Sequence, residues 1–324
     1  MRRREAIMLL GGAAIAWPLA ASAQEATRTY RVGGVSISPR TNPYFVAMFD
    51  ELRRLGFVEG QNLTVDWRAF GPNIDRIPEF VSELVKAQVD VLYVTGDLAI
   101  RAAQRATTTI PILGASEDMV GLGLVHSLAH PAGNTTGISI LTTELDGKRQ
   151  EILMEAVPGR HRMAALADSN ATTPLKLQAL HDAARERGVE LSIHKVTRAQ
   201  EIPTAIDEAK ASGAEALNVL ASPVLYTSRQ VIIDRVAALR LPAIYQFPDA
   251  AEEGGFIAYG PTLLHIYREL MAPQIAKVLH GTKPADLPVL QPTKFELVIN
   301  LKTAKALGLT IPETFLQRAD KVIE

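Results

Sequence analysis

From Tyr30 onward the chain alternates short runs of β-branched and apolar residues with longer segments whose apolar positions recur every three or four residues. Tyr30 to Ser36 reads as a strand. Pro43 to Leu55 follows as a helix with Phe45, Met48, Phe49, Leu52 and Leu55 on one face and Gly56 as its stop. Leu63 to Trp67 predicts a second strand and Ile74 to Val85 a second helix, through Ile77, Val81, Leu84 and Val85. Val89 to Val94 is almost wholly apolar, as a strand covered on both faces should be. A helix from Asp97 and a strand at Ile110 to Leu113 complete this series.

The rhythm then repeats. Strands are expected at Met163 to Ala167, Leu191 to Lys195, Ala216 to Leu220 and Pro242 to Tyr245. Helices between them are expected over Pro174 to Arg187, Ile202 to Ala211 and Leu225 to Leu239. A long helix over Leu263 to Leu279, a proline-bearing connector over Gly281 to Pro292, a strand at Phe295 to Ile299 and a short helix at Thr303 to Ala306 close the chain. Strands separated by helices of this length build βαβ units and parallel sheets. Two such series predict an α/β protein of two doubly wound parallel-sheet lobes. The late strand and helix must rejoin one lobe, so the chain crosses between lobes more than once and the junction is a multi-strand hinge. The expected bounds are residues 30–141 plus about 262–291 for one lobe and 142–261 plus about 292–324 for the other.

The first residues follow a different logic. Arg2, Arg3 and Arg4 precede a mostly apolar stretch from Ile7 to Leu19, and Ala21-Ser22-Ala23 supplies small residues for cleavage before Gln24. This order predicts a signal peptide over residues 1–23, with Sec and twin-arginine export both open, and an exported, soluble product in a periplasm. The chain contains no cysteine, which excludes a lipid anchor on a cysteine at the cleavage site, disulfides and thiolate metal sites. Without the leader the formal charge moves from −1 to −3, a poor match to nucleic acid.

In open parallel sheets ligands bind beyond the carboxyl ends of the strands. The residues placed there are Ser36 and Ser38, Thr95 and Gly96, Ser116 and Asp118 in the first series, and Ser169, Asn170, Ser222, Phe247 and Asp249 in the second. Thr142 lies where the chain leaves the first lobe, as a hinge and cleft wall. These side chains suit hydrogen bonding to a small ligand, and each Ser, Thr, Asp or Asn also suits a helix cap. For an amino-acid-like ligand, the amides at Thr95 and Gly96 would face the anion and Asp118 or Asp249 the ammonium group. Gly121-Leu122-Gly123 is expected to open a helix near Asp118, and Gly33-Gly34, inside a strand, to admit a close neighbour. No nucleophile–base pair and no dinucleotide or phosphate loop is present, and His126 and His130, four apart, have Pro131 after them and no carboxylate at a complementary spacing, so no catalytic residue, metal or cofactor is assigned.

Longer motifs carry a resemblance. Ser127-Leu128-Ala129-His130-Pro131-Ala132-Gly133-Asn134-Thr135-Thr136-Gly137 is similar to a signature of ABC-transporter substrate-binding proteins of the tryptophan/tyrosine-binding-like group. Leu55-Gly56-Phe57, Ala115-Ser116-Glu117-Asp118, Tyr259-Gly260-Pro261 and Pro284-Ala285-Asp286-Leu287-Pro288 extend it along the chain. The sequence departs from the pattern at Glu117, where a small residue is usual, at His130-Pro131-Ala132 in place of Arg-Pro-Gly, and over Phe247 to Glu253, which leaves the ligand open. The resemblance implies a periplasmic-binding-protein fold of the first type, with a ligand in the cleft between lobes. It also implies a monomer that docks on an ABC permease of the inner membrane. A ligand-reporting role at a membrane sensor, or an enzyme on the same fold, are the alternatives.

Overall fold

The computed structural model describes residues 28–71 and 73–324; the expected leader lies outside them. The first sheet contains β1 (Tyr30–Ser36), β2 (Leu63–Ala69), β3 (Val91–Thr95), β4 (Ile112–Ser116) and β5 (Thr135–Ser139), all parallel, in the order β2-β1-β3-β4-β5. Helices α1 (Pro43–Arg54), α2 (Ile77–Lys86) and α3 (Asp97–Ala106) link its strands. The strand alternation divides the core. Val32, Val91, Tyr93 and Leu113 face α1, whereas Val35, Leu92, Val94 and Ile112 face α2 and α3. Both faces are covered, which is why β3 and β4 are apolar almost throughout.

After α4 (Asp146–Ala156), the second sheet collects β6 (Arg162–Asp168), β7 (Glu190–Val196), β8 (Ala216–Val219), β9 (Ala243–Tyr245), β10 (Ile257–Pro261), β11 (Phe295–Asn300) and β12 (Lys321–Ile323) in the order β12-β11-β10-β9-β8-β6-β7. Its connecting helices are α5 (Pro174–Glu186), α6 (Ile202–Ala211), α7 (Pro223–Thr227), α8 (Arg229–Ala238) and α9 (Pro248–Glu252). The helix expected over Leu225 to Leu239 is thus two helices. All pairings are parallel except β10 with β11. That exception departs from the purely parallel expectation, and it follows from the chain path. The chain leaves β10 at its carboxyl end, crosses to the first lobe, and returns through the same junction, so β11 runs the opposite way.

The segment between β10 and β11 packs on the first sheet. It comprises α10 (Leu263–His265), a π-helical stretch (Ile266–Met271) and α11 (Ala272–Leu279), with Ile266, Tyr267, Met271, Ile275 and Leu279 in the same cluster as Phe45 and Tyr93. Pro273 explains the interruption of the expected uninterrupted helix. It has no N–H to give the preceding turn, and its ring crowds the carbonyl four residues back, which a widened turn relieves.

Three passages of chain therefore join the two sheets: the segment after β5, the segment after β10, and the connector before β11. The connector runs beside β5, with Ser139 N–H donating to Leu290 O (2.9 Å) and Leu290 N–H to Gly137 O (2.9 Å). Two further sequence expectations meet the structure here. Gly34 lies under the ring of Trp67, where a Cβ would sit 2.1 Å from Cε3, so the paired glycines do admit a close neighbour. No helix opens at Gly121; residues 119–123 form turns, because Asp118 Oδ1 accepts the Gly121 N–H (2.8 Å) and Gly123 has a φ of 64°.

The signature segment is chiefly a structural clasp. Asn134 Nδ2 donates to Thr107 O and Ile110 O, holding the turn before β4. Ala132 and Gly133 are both left-handed, at φ 63° and 66°. Ala132→Gly should therefore raise stability by roughly 0.5 kcal/mol, since it relieves ~1–2 kcal/mol of left-handed strain and forfeits ~0.4–1 kcal/mol of chain entropy. Urea unfolding midpoints of the two proteins check it; a lower midpoint for the glycine variant would contradict it.

Candidate functional site

The carboxyl ends of both sheets face the junction between lobes. At the first, the hydroxyls form a floor: Thr95 Oγ1 donates to Ser36 Oγ (3.1 Å), which also accepts the Ser38 N–H (3.3 Å). Tyr44, in the first turn of α1, donates its phenol to Ser38 Oγ (3.0 Å), and Trp67 Nε1 donates to Ser38 O (3.3 Å). Ser36 and Ser38 are buried. The Gly96 N–H is taken by Ala115 O at 2.8 Å, so this amide is not offered to an anion. Ser116 is the last residue of β4, buried, with its carbonyl accepting the Ile140 N–H. Asp118 is turned away into the Gly121 turn.

The second lobe supplies a different set. Ser222 Oγ donates to Asp168 Oδ2 (2.7 Å) and accepts from Val224 N and Leu225 N, so it caps α7 as well. Gln246 locks the same residue through Ser222 N–H to Oε1 and Nε2–H to Ser222 O, both 3.0 Å. Of the Asp168-Ser169-Asn170 run it is Asp168 that is buried. Ser169 and Asn170 are exposed, and the Asn170 amide is tied to Thr197 O. Their side chains do not join the polar group around Ser222, although the Asn170 backbone N–H donates to Asp168 Oδ1 (2.9 Å).

Phe247 and Tyr226 bring the lobes together. Phe247, just past β9, is buried and belongs to the apolar cluster of the first lobe, and Tyr226 packs edge-on against it with ring centroids 5.1 Å apart. Tyr226 donates its hydroxyl to Asp249 Oδ2 (2.7 Å), and Arg229 lies over the Tyr226 ring at 4.5 Å. Arg229 Nε is 3.9 Å from Asp249, while its guanidinium forks onto Glu253 with two 2.7 Å hydrogen bonds. Burial pushes the Asp249 carboxyl above the ordinary aspartate range, against the pull of Tyr226 and Arg229. Burial also raises the Tyr226 and Tyr44 phenols. Phe247 is buried in the first-lobe cluster that also holds Tyr44, with Tyr226 packed against it, so the two lobes are in contact here.

The hinge itself is charged. Glu117 Oε2 accepts the Thr142 hydroxyl and the Thr143 N–H (3.3 Å). Lys176, in the first turn of α5, donates to Thr143 Oγ1 (2.6 Å). Beneath them Arg149 is wholly buried and donates to Thr142 O (2.7 Å), Tyr259 O (3.3 Å) and Asp146 Oδ1 (2.5 Å). Asp146 Oδ1 also accepts the Ala221 N–H, and Asn218 donates to Asp146 O, so the first passage, β10 and the floor of the second lobe meet at one buried ion pair. Burial raises the carboxyls of both Glu117 and Asp146, and Arg149 opposes the rise at Asp146.

Of the residues expected from sequence, the structure thus groups Ser36, Ser38 and Thr95 on one side, and Ser222, Phe247 and Asp249 on the other, with Thr142 between. Asp168 heads the run with Ser169 and Asn170 at a strand's carboxyl end, whereas Tyr44, Asp146, Arg149, Lys176, Tyr226 and Arg229 were not singled out. Lys176 and Arg149 stand in helical stretches beside other charges and look like solvated surface, so only the open-sheet rule applied to Asp168 offered a signal. Among the described residues no group of three or more His, Cys, Asp or Glu is placed to hold a metal ion, and no helix is long and apolar enough to cross a membrane.

Comparison with known proteins agrees with this architecture. Residues 45–323 match the family model of ABC transporter substrate binding proteins. The chain is 28% identical over 263 residues to a tyrosine-binding protein of Clostridioides difficile, spanning 78% of this chain and 73% of that one. A conserved domain protein of Vibrio cholerae superposes with a TM-score of 0.82 at 26% identity, over 91% of this chain and all of that one. The ABC domain from Streptococcus pneumoniae, in complex with L-Trp, superposes with a TM-score of 0.81 at 22% identity, over 91% of this chain and all of that one. With two wound lobes, a three-passage hinge and a polar, aromatic junction between them, the chain belongs to the ABC transporter substrate-binding protein family, whose members capture solutes.

Proposed function

We propose that this protein captures an amino acid with an aromatic side chain between its lobes, in the periplasm, and presents the closed form to an ABC permease as a monomer without chemical turnover. One observation carries the ligand class: Tyr44 from the first lobe and Tyr226 and Phe247 from the second meet beside the hydroxyl floor of Ser36, Ser38 and Thr95. Flat apolar faces next to fixed hydroxyls suit a ring with a polar end, and aromatic pairs add about 0.5–1.5 kcal/mol beyond area burial. The relatedness to a tyrosine-binding protein supports the same reading. In this scheme the lobes are residues 30–141 with 262–291 and residues 142–261 with 292–324. The leader over residues 1–23 supports the periplasmic location.

Calorimetric titration of the purified protein, refolded to remove carried-over solute, tests the proposal. L-Tyrosine, L-tryptophan or L-phenylalanine should bind with a Kd on the order of 1 μM, about −8 kcal/mol. Leucine, glutamate and hexoses should bind far more weakly. Tight binding of a hexose, with no heat from any aromatic amino acid, would sink the assignment.

A further inference from the structure

Of the two acids that sequence alone offers to an ammonium group, Asp118 is drawn into the Gly121 turn, and Asp249 holds the Tyr226 hydroxyl with Arg229 Nε 3.9 Å away. A third acid is only half used. Glu117 spends Oε2 on Thr142 and Thr143, while among the described residues its Oε1 accepts no hydrogen bond and no Lys or Arg forms an ion pair with it. From the opposite lobe Lys176 rests its ammonium on Thr143 Oγ1 at 2.6 Å, and among the described residues it too has no ion-pair partner. The other charges of this corner, Asp146 and Arg149, already answer each other. Two adjacent threonines of the first passage thus hold one unpaired carboxylate from the first lobe and one unpaired ammonium from the second.

We infer that Glu117 and Lys176 together receive the zwitterionic head of an α-amino acid, Glu117 taking its ammonium group and Lys176 its carboxylate. The inference rests on the amino-acid reading above. It adds that the head group sits at the hinge, away from the aromatic side chains, which would take the ring. An amino acid's two charges are separated by a single carbon, so they match two opposite charges presented side by side. Glu117 and Lys176 are each partly withdrawn from water, a charge so placed gains from a partner, and here the pairing is completed by the ligand. Because the two receptors come from different lobes and meet on Thr143, the head group is gripped from both sides only when the lobes are closed. Binding and closure are then one event.

Three probes separate the roles: L-tyrosine, 3-(4-hydroxyphenyl)propanoate, which lacks the amine, and tyramine, which lacks the carboxylate. Glu117→Gln should weaken L-tyrosine and tyramine roughly 10- to 100-fold, the range for a lost charge-assisted hydrogen bond, and leave the propanoate nearly unchanged. Lys176→Gln should weaken L-tyrosine and the propanoate by the same range and leave tyramine nearly unchanged. A purely structural role would lower all three probes alike in each variant, and that result, or no change for any of them, overturns the inference. Thermal unfolding without ligand verifies that each variant is folded, and Glu117→Ala and Lys176→Met repeat the pattern if either amide variant is not. If the unaltered protein binds another amino acid and no aromatic one, the aromatic reading fails by itself. The deaminated and decarboxylated forms of that amino acid then test Glu117 and Lys176 in the same way.

Discussion

Arg149→Met is expected to lower the stability of the protein by about 3–5 kcal/mol, the range for breaking a buried ion pair from one side. The guanidinium is wholly inaccessible and serves Asp146 and two carbonyls at once, Thr142 O and Tyr259 O. A methionine of similar length keeps the volume and leaves those acceptors without a donor. The Asp146 carboxylate would retain only the Ala221 N–H. The pH dependence follows from the same contact. Burial already holds the Asp146 carboxyl above its ordinary range, and Arg149 is the main force pulling it down. Without Arg149 the folded-state pKa rises further. A carboxyl whose pKa is higher folded than unfolded binds its proton more tightly in the folded state, so stability falls as pH rises through that interval. The deficit of the variant should accordingly be smallest near pH 4 and grow towards neutrality. Adding Asp146→Asn should restore part of it. Urea unfolding of the three proteins across this pH range measures all of this. A deficit below about 1 kcal/mol, or one that is larger at the acid end, would mean the pair does not hold the junction together.

The second large effect is steric. Gly137 is paired with Gly114 in the ladder between β4 and β5. At its φ of 142° a Cβ would lie 1.9 Å from Gly114 O and 2.7 Å from Gly114 N. Both obstacles are backbone, so no rotamer change relieves them. Nor can β5 slide away, because Gly137 O accepts from Leu290 and Thr136 Oγ1 donates to Leu287 O (2.7 Å), both in the third passage. Gly137→Ala should therefore cost about 4 kcal/mol or more, at the far end of what single substitutions do. Gly133→Ala is the control: φ is 66° and nothing lies within 4 Å of the new Cβ, so only the left-handed strain of ~1–2 kcal/mol applies. Equal losses for the two variants would show that β4 and β5 do not approach as closely as described.

How far the chain could be read without its structure depends on the range of the forces involved. Periodicity is local, so α1 was legible through Phe45, Met48 and Leu52, and β3 through its unbroken apolar run. Helix ends were less so. Ile74 opens a short 3-10 turn and the helix proper begins at Ile77, next to a proline suited to the first turn. The hydroxyl floor was also legible, because an open parallel sheet directs its ligand to the carboxyl ends of its strands. Glu117 and Asp118 show the limit. They are adjacent acids beyond one strand, and which of them meets the hinge depends on how the chain turns after Ser116. The Gly121 N–H captures Asp118, and Glu117 is left facing Thr142.

The sequence by itself determined most of the alternating strands and helices, the two wound lobes, the repeated crossing and the membership of a solute-capturing family, since these follow from local periodicity and from ordered motifs. The tertiary structure decided which polar residues become a site. Arg149, Lys176 and Asp146 occupy helical stretches whose composition is that of any solvated face. Arg149 and Asp146 become a buried ion pair because Thr142, Tyr259 of β10 and Ala221 converge on them and exclude water, and Lys176 is drawn onto Thr143 beside them. Desolvation is a property of the assembled surroundings, and it converts ordinary surface charges into the groups that hold the lobes and, with Glu117, into a proposed receptor for the ligand's head group.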